Sequence, residues 1–297
     1  MGVLAGLAAA LAWTLASSLW RSLSTSLTAI QLNGLKNWIA CLILTPVLLG
    51  IPWFEQTGSC LILLSSGVVG IAIGDSFYLA ALRRLGTRRT LTFEAVAPLA
   101  AGISGLIWMG ERVSGLSWAG AVLVSASVLI VARQQPPDQT SFTDRRRTTQ
   151  LLGATLALLA VVCGVGGAAL SRGVLLSTSL TPLQSAAVRL LGGGLALLPW
   201  LRHPAMLPGR SVPVTGPTPA QPRAIRVVAA TLLGTNVGIL LQQTALQRLP
   251  LAVAITLLST APVMALLVAR HEGDKPQLAG HAASLLAVSG VALAMLN

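Results

Sequence analysis

Asp75, Glu94 and Arg189 carry full charges inside strongly apolar stretches of this chain. A charge in such surroundings costs about 2.5–3.5 kcal/mol on membrane-insertion scales, so each needs a partner or a task. Asp75 lies about seven residues before the end of one apolar block, and Glu94 about five residues into the next. At ~1.5 Å per helical residue both sit roughly 7–12 Å below the same surface. Two carboxylates so placed can exchange protons or hold a cationic group. The alternative is that Arg83, Arg84, Arg88 or Arg89 neutralises them at the surface. Lys36 and Arg189 lie at matching places near the starts of two other blocks. Both are candidates for substrate binding or coupling; Arg189, about a turn and a half into its block, suits a carboxylate or phosphate on a bound solute, or else it reaches outward to headgroups or helix-end carbonyls.

Neutral polar residues extend the same pattern. Asn236, Gln243 and Gln247 are spaced by seven and four, so they share one helical face. With Gln242 and Thr244, and with Ser76 and Tyr78 of an earlier block, they either line a polar cavity or bond helix to helix. Gln242 falls opposite Tyr78 in the internal repeat described below.

Other chemistries find no support. His203, His271 and His281 form no HExxH or His-box spacing, and no GxSxG occurs. Cys41, Cys60 and Cys163 are odd in number and lie within or at the edges of apolar runs, where a free cysteine packs as a small hydrophobe. No catalytic residue, metal site or cofactor is therefore assigned. Gly70, Gly74, Gly234 and Gly238 form two Gly-xxx-Gly pairs without the strand or the Lys-Ser/Thr ending of a phosphate loop. Close helix packing explains them.

The elements that must hold these residues follow from composition. The 297 residues carry 20 Lys+Arg against 8 Asp+Glu, a net +12, yet only 9% are charged and 54% are hydrophobic. A soluble domain has roughly 25% charged residues, so the solvent for this chain is lipid. The basic balance does not indicate nucleic acid, because aromatic residues are 4% and all cations but Lys36 and Arg189 lie at or between block ends. Blocks near the ~20-residue spanning length run over 3–20, 32–50, 59–82, 90–110, 114–132, 149–171, 183–201, 224–246, 250–270 and 276–296. The first block contains the run AAALA from Ala8, but its first positive charge, Arg21, follows it, so it reads as a mature helix and not as a secretory signal. Polar, Pro-containing linkers fill 133–148 and 202–222.

The chain repeats itself. At an offset of 164, GIAIGDSFYLAALRRLGTRRTLTFEAVAPLAA from Gly70 matches GTNVGILLQQTALQRLPLAVAITLLSTAPVMA from Gly234 at ten of 32 positions. The matches include both Gly-xxx-Gly pairs and the Ala-Pro steps at Pro98 and Pro262, which are expected to bend their helices. At an offset of 153, SLTAIQLNGLK from Ser26 matches SLTPLQSAAVR from Ser179 and places Lys36 on Arg189. The expected organisation is a five-helix repeat over 1–132, a linker over 133–148 and a second five-helix repeat over 149–297. Five is odd, so the second repeat enters the membrane inverted. Loop charges agree, since Arg83, Arg84, Arg88 and Arg89 in the loop after block 3 face only Arg248 in its counterpart.

The strings GDSFYLAALRRLG and APLAAGISGLIWMGER, followed by the small-residue helix Trp118–Val131, resemble the repeat of the EamA family in the drug/metabolite transporter superfamily. The second half is similar through Thr244-Ala245-Leu246, Ala261-Pro262-Val263, His271-Glu272, Gly280 and Gly290. Glu111 and Glu272 match the Gly-Glu turn of that family, which points to a helix cap. The resemblance implies an all-α polytopic membrane protein, ten transmembrane helices in two inverted bundles around a central cavity. It also implies alternating access to small polar metabolites, as a permease or exporter.

The expected function is thus secondary transport, with proton coupling through Asp75 and Glu94, and no enzyme activity. A passive channel is the alternative, followed by a membrane-embedded enzyme acting on a lipid-linked substrate. The partners are a small-molecule substrate and the bilayer, with room for a homodimer and none for nucleic acid. Loops after odd-numbered helices hold fifteen Lys/Arg and the others three, which places both termini outside a plasma (inner) membrane. The resemblance usually implies both termini inside.

Overall fold

The computed structural model describes residues 1–21, 27–134, 144–201, 223–264 and 278–296, and among them all regular structure is helical. In chain order the elements are α1 (Gly2–Arg21), α2 (Ala29–Ile43), α3 (Thr45–Leu49), α4 (Thr57–Gly67), the π-helical π1 (Val68–Gly74) and α5 (Asp75–Glu94). They continue with α6 (Ala97–Met109), α7 (Gly115–Gln134), α8 (Asp144–Ser177) and α9 (Pro182–Leu201). The chain closes with α10 (Arg223–Thr231), π2 (Leu232–Val237), α11 (Gly238–Arg248), α12 (Leu251–Leu258) and α13 (Leu278–Met295). Among the described residues, four continuous helical runs are long and apolar enough to cross a bilayer: Gly2–Trp20, Thr57–Leu82, Gln150–Ser177 and Ala224–Arg248. Shorter apolar helices include Ala97–Met109, Gly115–Ile130, Leu251–Met264 and Ala279–Met295.

Local chemistry sets the ends. Thr28 and Thr181 each open a helix with the same capping box, the Thr Oγ1 accepting from the N–H of Gln31 or Gln184 and the Gln Oε1 accepting from the N–H of Thr28 or Thr181. This reciprocal cap is what the repeated SLTxxQ string encodes. Pro46, in the first turn of α3, follows a break at Leu44 that divides the expected block 32–50. Gly110 ends α6 in the left-handed region (φ 63°), where a residue without Cβ is unstrained.

Two boundaries differ from expectation. The segment Arg83–Arg89, expected as a loop, lies inside α5. Arginine is a good helix former and no proline intervenes before Pro98, so helical hydrogen bonding continues. The break comes instead at Ala95–Val96, just before Pro98, and its counterpart is the turn at Ser259–Thr260 before Pro262. Neither proline therefore bends a continuous helix; each starts a new helical segment after a turn. Likewise α8 begins at Asp144, four residues inside the expected linker end at Thr148. The remainder of that linker, 135–143, the linker 202–222, and Arg270, His271, Glu272 and Lys275 lie outside the described residues.

The packing repeats across the halves. In the second half α10, π2 and α11 lie against α1, while in the first half α4, π1 and α5 lie against α8. The pairs α2 with α9, α6 with α12, and α7 with α13 each join equivalent helices. Exchanging the halves leaves this pattern unchanged. The two π segments coincide at the 164-residue offset, Val68 falling on Leu232. Helices in lipid gain little from apolar burial against one another, so small residues that allow close approach carry the contacts. A Cβ on Gly167 would come within 2.8 Å of the Gly70 Cα, and one on Gly290 within 2.8 Å of the Gly120 carbonyl oxygen. The largest buried cluster draws Ala5 and Ala9 from α1, Ala97 and Ala101 from α6, Val161 and Ala168 from α8, and Leu246 and Leu251 from α11 and α12.

Candidate functional site

A polar centre forms where α2, π1, α5, α9 and α11 meet. It begins with the π segments, a helix distortion found frequently at functional sites. Side chains from other helices bond to backbone carbonyls within them. Asn33 Nδ2 of α2 donates to the carbonyls of Ile71 (2.8 Å) and Ala72 (3.4 Å) and to Ser76 Oγ (3.1 Å). Trp13 Nε1 of α1 donates to the Gly234 carbonyl at 2.9 Å. Each half thus carries a π segment within a continuous helical run, with a side chain from a neighbouring helix bonded to its backbone.

Directly after π1 stands Asp75. Its Oδ2 accepts from Lys36 Nζ at 2.5 Å, with the two side chains 39% and 20% exposed respectively. Lys36 rises from α2 one turn beyond Asn33, so the π1 cap and this ion pair share one helical face. Tyr78 and Glu94 also lie within electrostatic reach of Asp75. Asp75 and Glu94 thus act on each other electrostatically, and Lys36 holds one of the two. Of the arginines weighed as their partners, Arg84 donates to the Ala80 carbonyl at 3.0 Å, while the side chains of Arg83, Arg88 and Arg89 lie outside the described residues.

Arg189 occupies the floor of this centre. It lies seven residues into α9, about 10 Å from the helix start, and is 2% exposed. Glycine makes the position: a Cβ on Gly67 would land on the Arg189 carbonyl, and one on Gly70 would sit 3.2 Å from its Nη2. The guanidinium has one hydrogen bond, a long one of 3.4 Å from Nη1 to Gln242 Oε1, and its Nε has no partner. Asp75 is within electrostatic reach but already bonded to Lys36. A guanidinium offers five N–H donors; here Nη1 bonds Gln242 and Nε is buried with no partner.

The other polar residues of π2 and α11 have other uses. Gln243 is fully buried and accepts from Ser185 Oγ at 2.9 Å, while Asn236 Nδ2 donates to the Ala40 carbonyl at 3.1 Å. Thr244 returns its hydroxyl to the Leu240 carbonyl of its own helix. Gln242, one residue aside from Gln243, is the one that meets Arg189. Gly74 lies against Cys163 of α8, as Gly238 lies against Trp13 of α1.

A second charged cluster stands apart from this centre. Glu111, just past α6, accepts on Oε1 from Arg172 Nε of α8 (2.5 Å) and on Oε2 from the Leu251 N–H at the start of α12 (2.8 Å). Arg172 Nη1 donates to the Leu246 carbonyl near the end of α11. The pair is 12% and 8% exposed. It clamps one first-half helix to three second-half elements at their ends. Glu111 was expected as a cap; the carboxylate also serves as an interhelical ion-pair partner. Nothing in the sequence joins it to Arg172, 61 residues away.

Comparison with known proteins gives a family and a fold. The model of the EamA-like transporter family matches residues 1–133 and again 151–296. No curated protein matches the chain. A solved structure titled "Crystal structure of protein" superposes with a TM-score of 0.74 at 20% identity, covering 99% of this chain and 96% of that one. At that identity the likeness is one of fold alone.

Proposed function

Because the chain belongs to the EamA-like transporter family, we propose that it carries small polar metabolites across a membrane by alternating access. Its apolar helices and its family make it a multi-pass membrane protein of the drug/metabolite transporter type. In the finer reading, ten membrane-crossing helices form two inverted five-helix repeats, residues 1–132 and 149–297, joined by the linker 133–148. The centre between them holds the solute, and no catalysis takes place there. Asp75 and Glu94 exchange the proton that drives the cycle.

One observation carries this reading: a polar centre containing Lys36, Asp75, Arg189 and Gln242 draws its side chains from both halves, beside two equivalent π-helical segments. Inverted-repeat carriers hold the solute near the midplane at the interface between the repeats, and a centre built from both halves suits such an interface. A channel would need a continuous wet path; a centre whose floor is an occluded arginine fits alternate exposure.

The test is reconstitution in liposomes with labelled amino acids, sugars and organic acids, with and without a pH gradient. Saturable, gradient-dependent uptake supports the proposal, non-saturating flux supports a channel, and turnover of a lipid without flux supports an enzyme. We place both termini outside the inner membrane, on the excess of Lys/Arg in the loops after odd-numbered helices. A single cysteine introduced at Ser141, in a background without the native cysteines, tests that placement. Protection from an impermeant thiol reagent in intact cells supports it, and labelling contradicts it.

A further inference from the structure

We propose that Arg189 is the binding group for a carboxylate, so that the transported solute is a small molecule bearing a singly charged carboxylate, either alone or within a zwitterion. The inference rests on the transport reading above and names the substrate class of that same centre.

Three features select this ligand. First, the guanidinium is 2% exposed and has a single hydrogen bond, to Gln242 at 3.4 Å, with Nε unpartnered. Its donors form a planar fork that matches the two oxygens of a carboxylate. Second, the charge of Arg189 is not cancelled by an ion pair. The described ion pairs join Lys36 to Asp75 and Arg172 to Glu111, so Arg189 has no carboxylate within bonding distance. Third, the Asp75 carboxylate lies within electrostatic reach of Arg189 and opposes a second negative charge on the solute, which disfavours a phosphate dianion. The same acid would welcome the ammonium group of a zwitterion.

Glycine lets the guanidinium seat here: a Cβ on Gly70 of π1 would stand 3.2 Å from Nη2, so π1 and the arginine approach this closely only without a side chain at that position. The half-exposed Asp75–Lys36 pair forms the polar border of the centre, while Arg189 forms its occluded floor. A solute entering past that border would exchange its hydration for the idle guanidinium donors.

The experiment uses the full-length protein with two independent readouts. In detergent, thermal unfolding is followed in sodium acetate, a minimal carboxylate, against sodium chloride and sodium phosphate at equal ionic strength. In proteoliposomes, uptake of labelled pyruvate and L-alanine is compared with that of glucose, choline and inorganic phosphate. The wild-type protein, Arg189→Gln and Arg189→Lys are measured alongside. Acetate should raise the unfolding temperature of the wild type and leave Arg189→Gln unmoved. Uptake of pyruvate, alanine or both should fall at least tenfold in Arg189→Gln and less in Arg189→Lys. Pyruvate uptake without alanine uptake identifies a free carboxylate; alanine uptake without pyruvate uptake identifies a zwitterion.

Stabilisation by acetate without any flux would leave the carboxylate site standing and remove the transport reading. Saturable uptake of glucose, choline or phosphate that Arg189→Gln leaves intact would do the reverse. Absence of any acetate effect together with absence of carboxylate uptake overturns the proposal, as does collapse of the Arg189→Gln protein into aggregate, which would make Arg189 a structural residue.

Discussion

Arg172 and Arg189 are two buried arginines in one protein, and their surroundings are opposite. Arg172 holds a carboxylate with Nε and a backbone carbonyl with Nη1, and its partner Glu111 is completed by the Leu251 N–H. Arg189 has one long hydrogen bond to an amide and an idle Nε. A protein that can satisfy one arginine so fully has no physical obstacle to satisfying another. The first arginine therefore belongs to the architecture, fixing α6 to α8, α11 and α12. The second stores unmet hydrogen-bonding capacity where both halves meet, which is the property a ligand site needs.

The contrast can be broken from either side. The largest effect is expected from Arg172→Ala or Glu111→Ala, since removing one partner of a buried ion pair strands the other charge at a cost of about 3–5 kcal/mol. Thermal unfolding in detergent should show a large fall, and the double variant Glu111→Leu with Arg172→Met should recover most of it. Additive losses in the double variant would show that the clamp does not act as a unit. A smaller effect is expected from Gly67→Ala, whose new Cβ meets the Arg189 carbonyl. Overpacking at a helix contact costs about 1–3 kcal/mol, and the displacement of α9 should lower uptake as well as stability. If the protein tolerates Gly67→Ala on both measures, the close approach of α4 and α9 does not position Arg189.

The smallest change in stability is expected from Lys36→Met. The Lys36–Asp75 pair is partly exposed, and such pairs contribute about 0–1 kcal/mol. Its effect should appear in function, because Asp75 loses its counter-ion. Asp75→Asn and Glu94→Gln should likewise fold normally and lose the dependence of uptake on an imposed pH gradient. Retention of that dependence in both single variants and in the double variant would assign the proton to another group.

Much of this organisation is written in local patterns. The 164-residue offset pairs Pro98 with Pro262, and the structure treats the two alike, with a turn before each where a bend was expected; the π segments that coincide at the same offset were not anticipated, because the Gly-xxx-Gly pairs read only as close packing. The capping boxes at Thr28 and Thr181 are equally local, three residues from end to end. What was not legible depends on contacts between distant helices. Asn33 looks like any polar residue in an apolar block until π1 is placed beside it, 38 residues away. The choice of Gln242 over Gln243 as the neighbour of Arg189 depends on which side of α11 meets α9. The pairing of Lys36 with Asp75 was not legible because the repeat matches Lys36 to Arg189, while its partner lies 39 residues away on another helix. The continuation of α5 through Arg83–Arg89 was missed because a run of four arginines in seven residues marks a membrane surface in composition, although arginine favours helix.

The contrast between the two arginines is tested most directly by the unfolding temperatures of Arg172→Gln and Arg189→Gln, measured side by side in one detergent with no added solute. Arg172→Gln should unfold far below the wild type, while Arg189→Gln should match or exceed it, since the substitution removes an unmet buried charge. A fall in Arg189→Gln as deep as that in Arg172→Gln would contradict the assignment of Arg189 to a ligand.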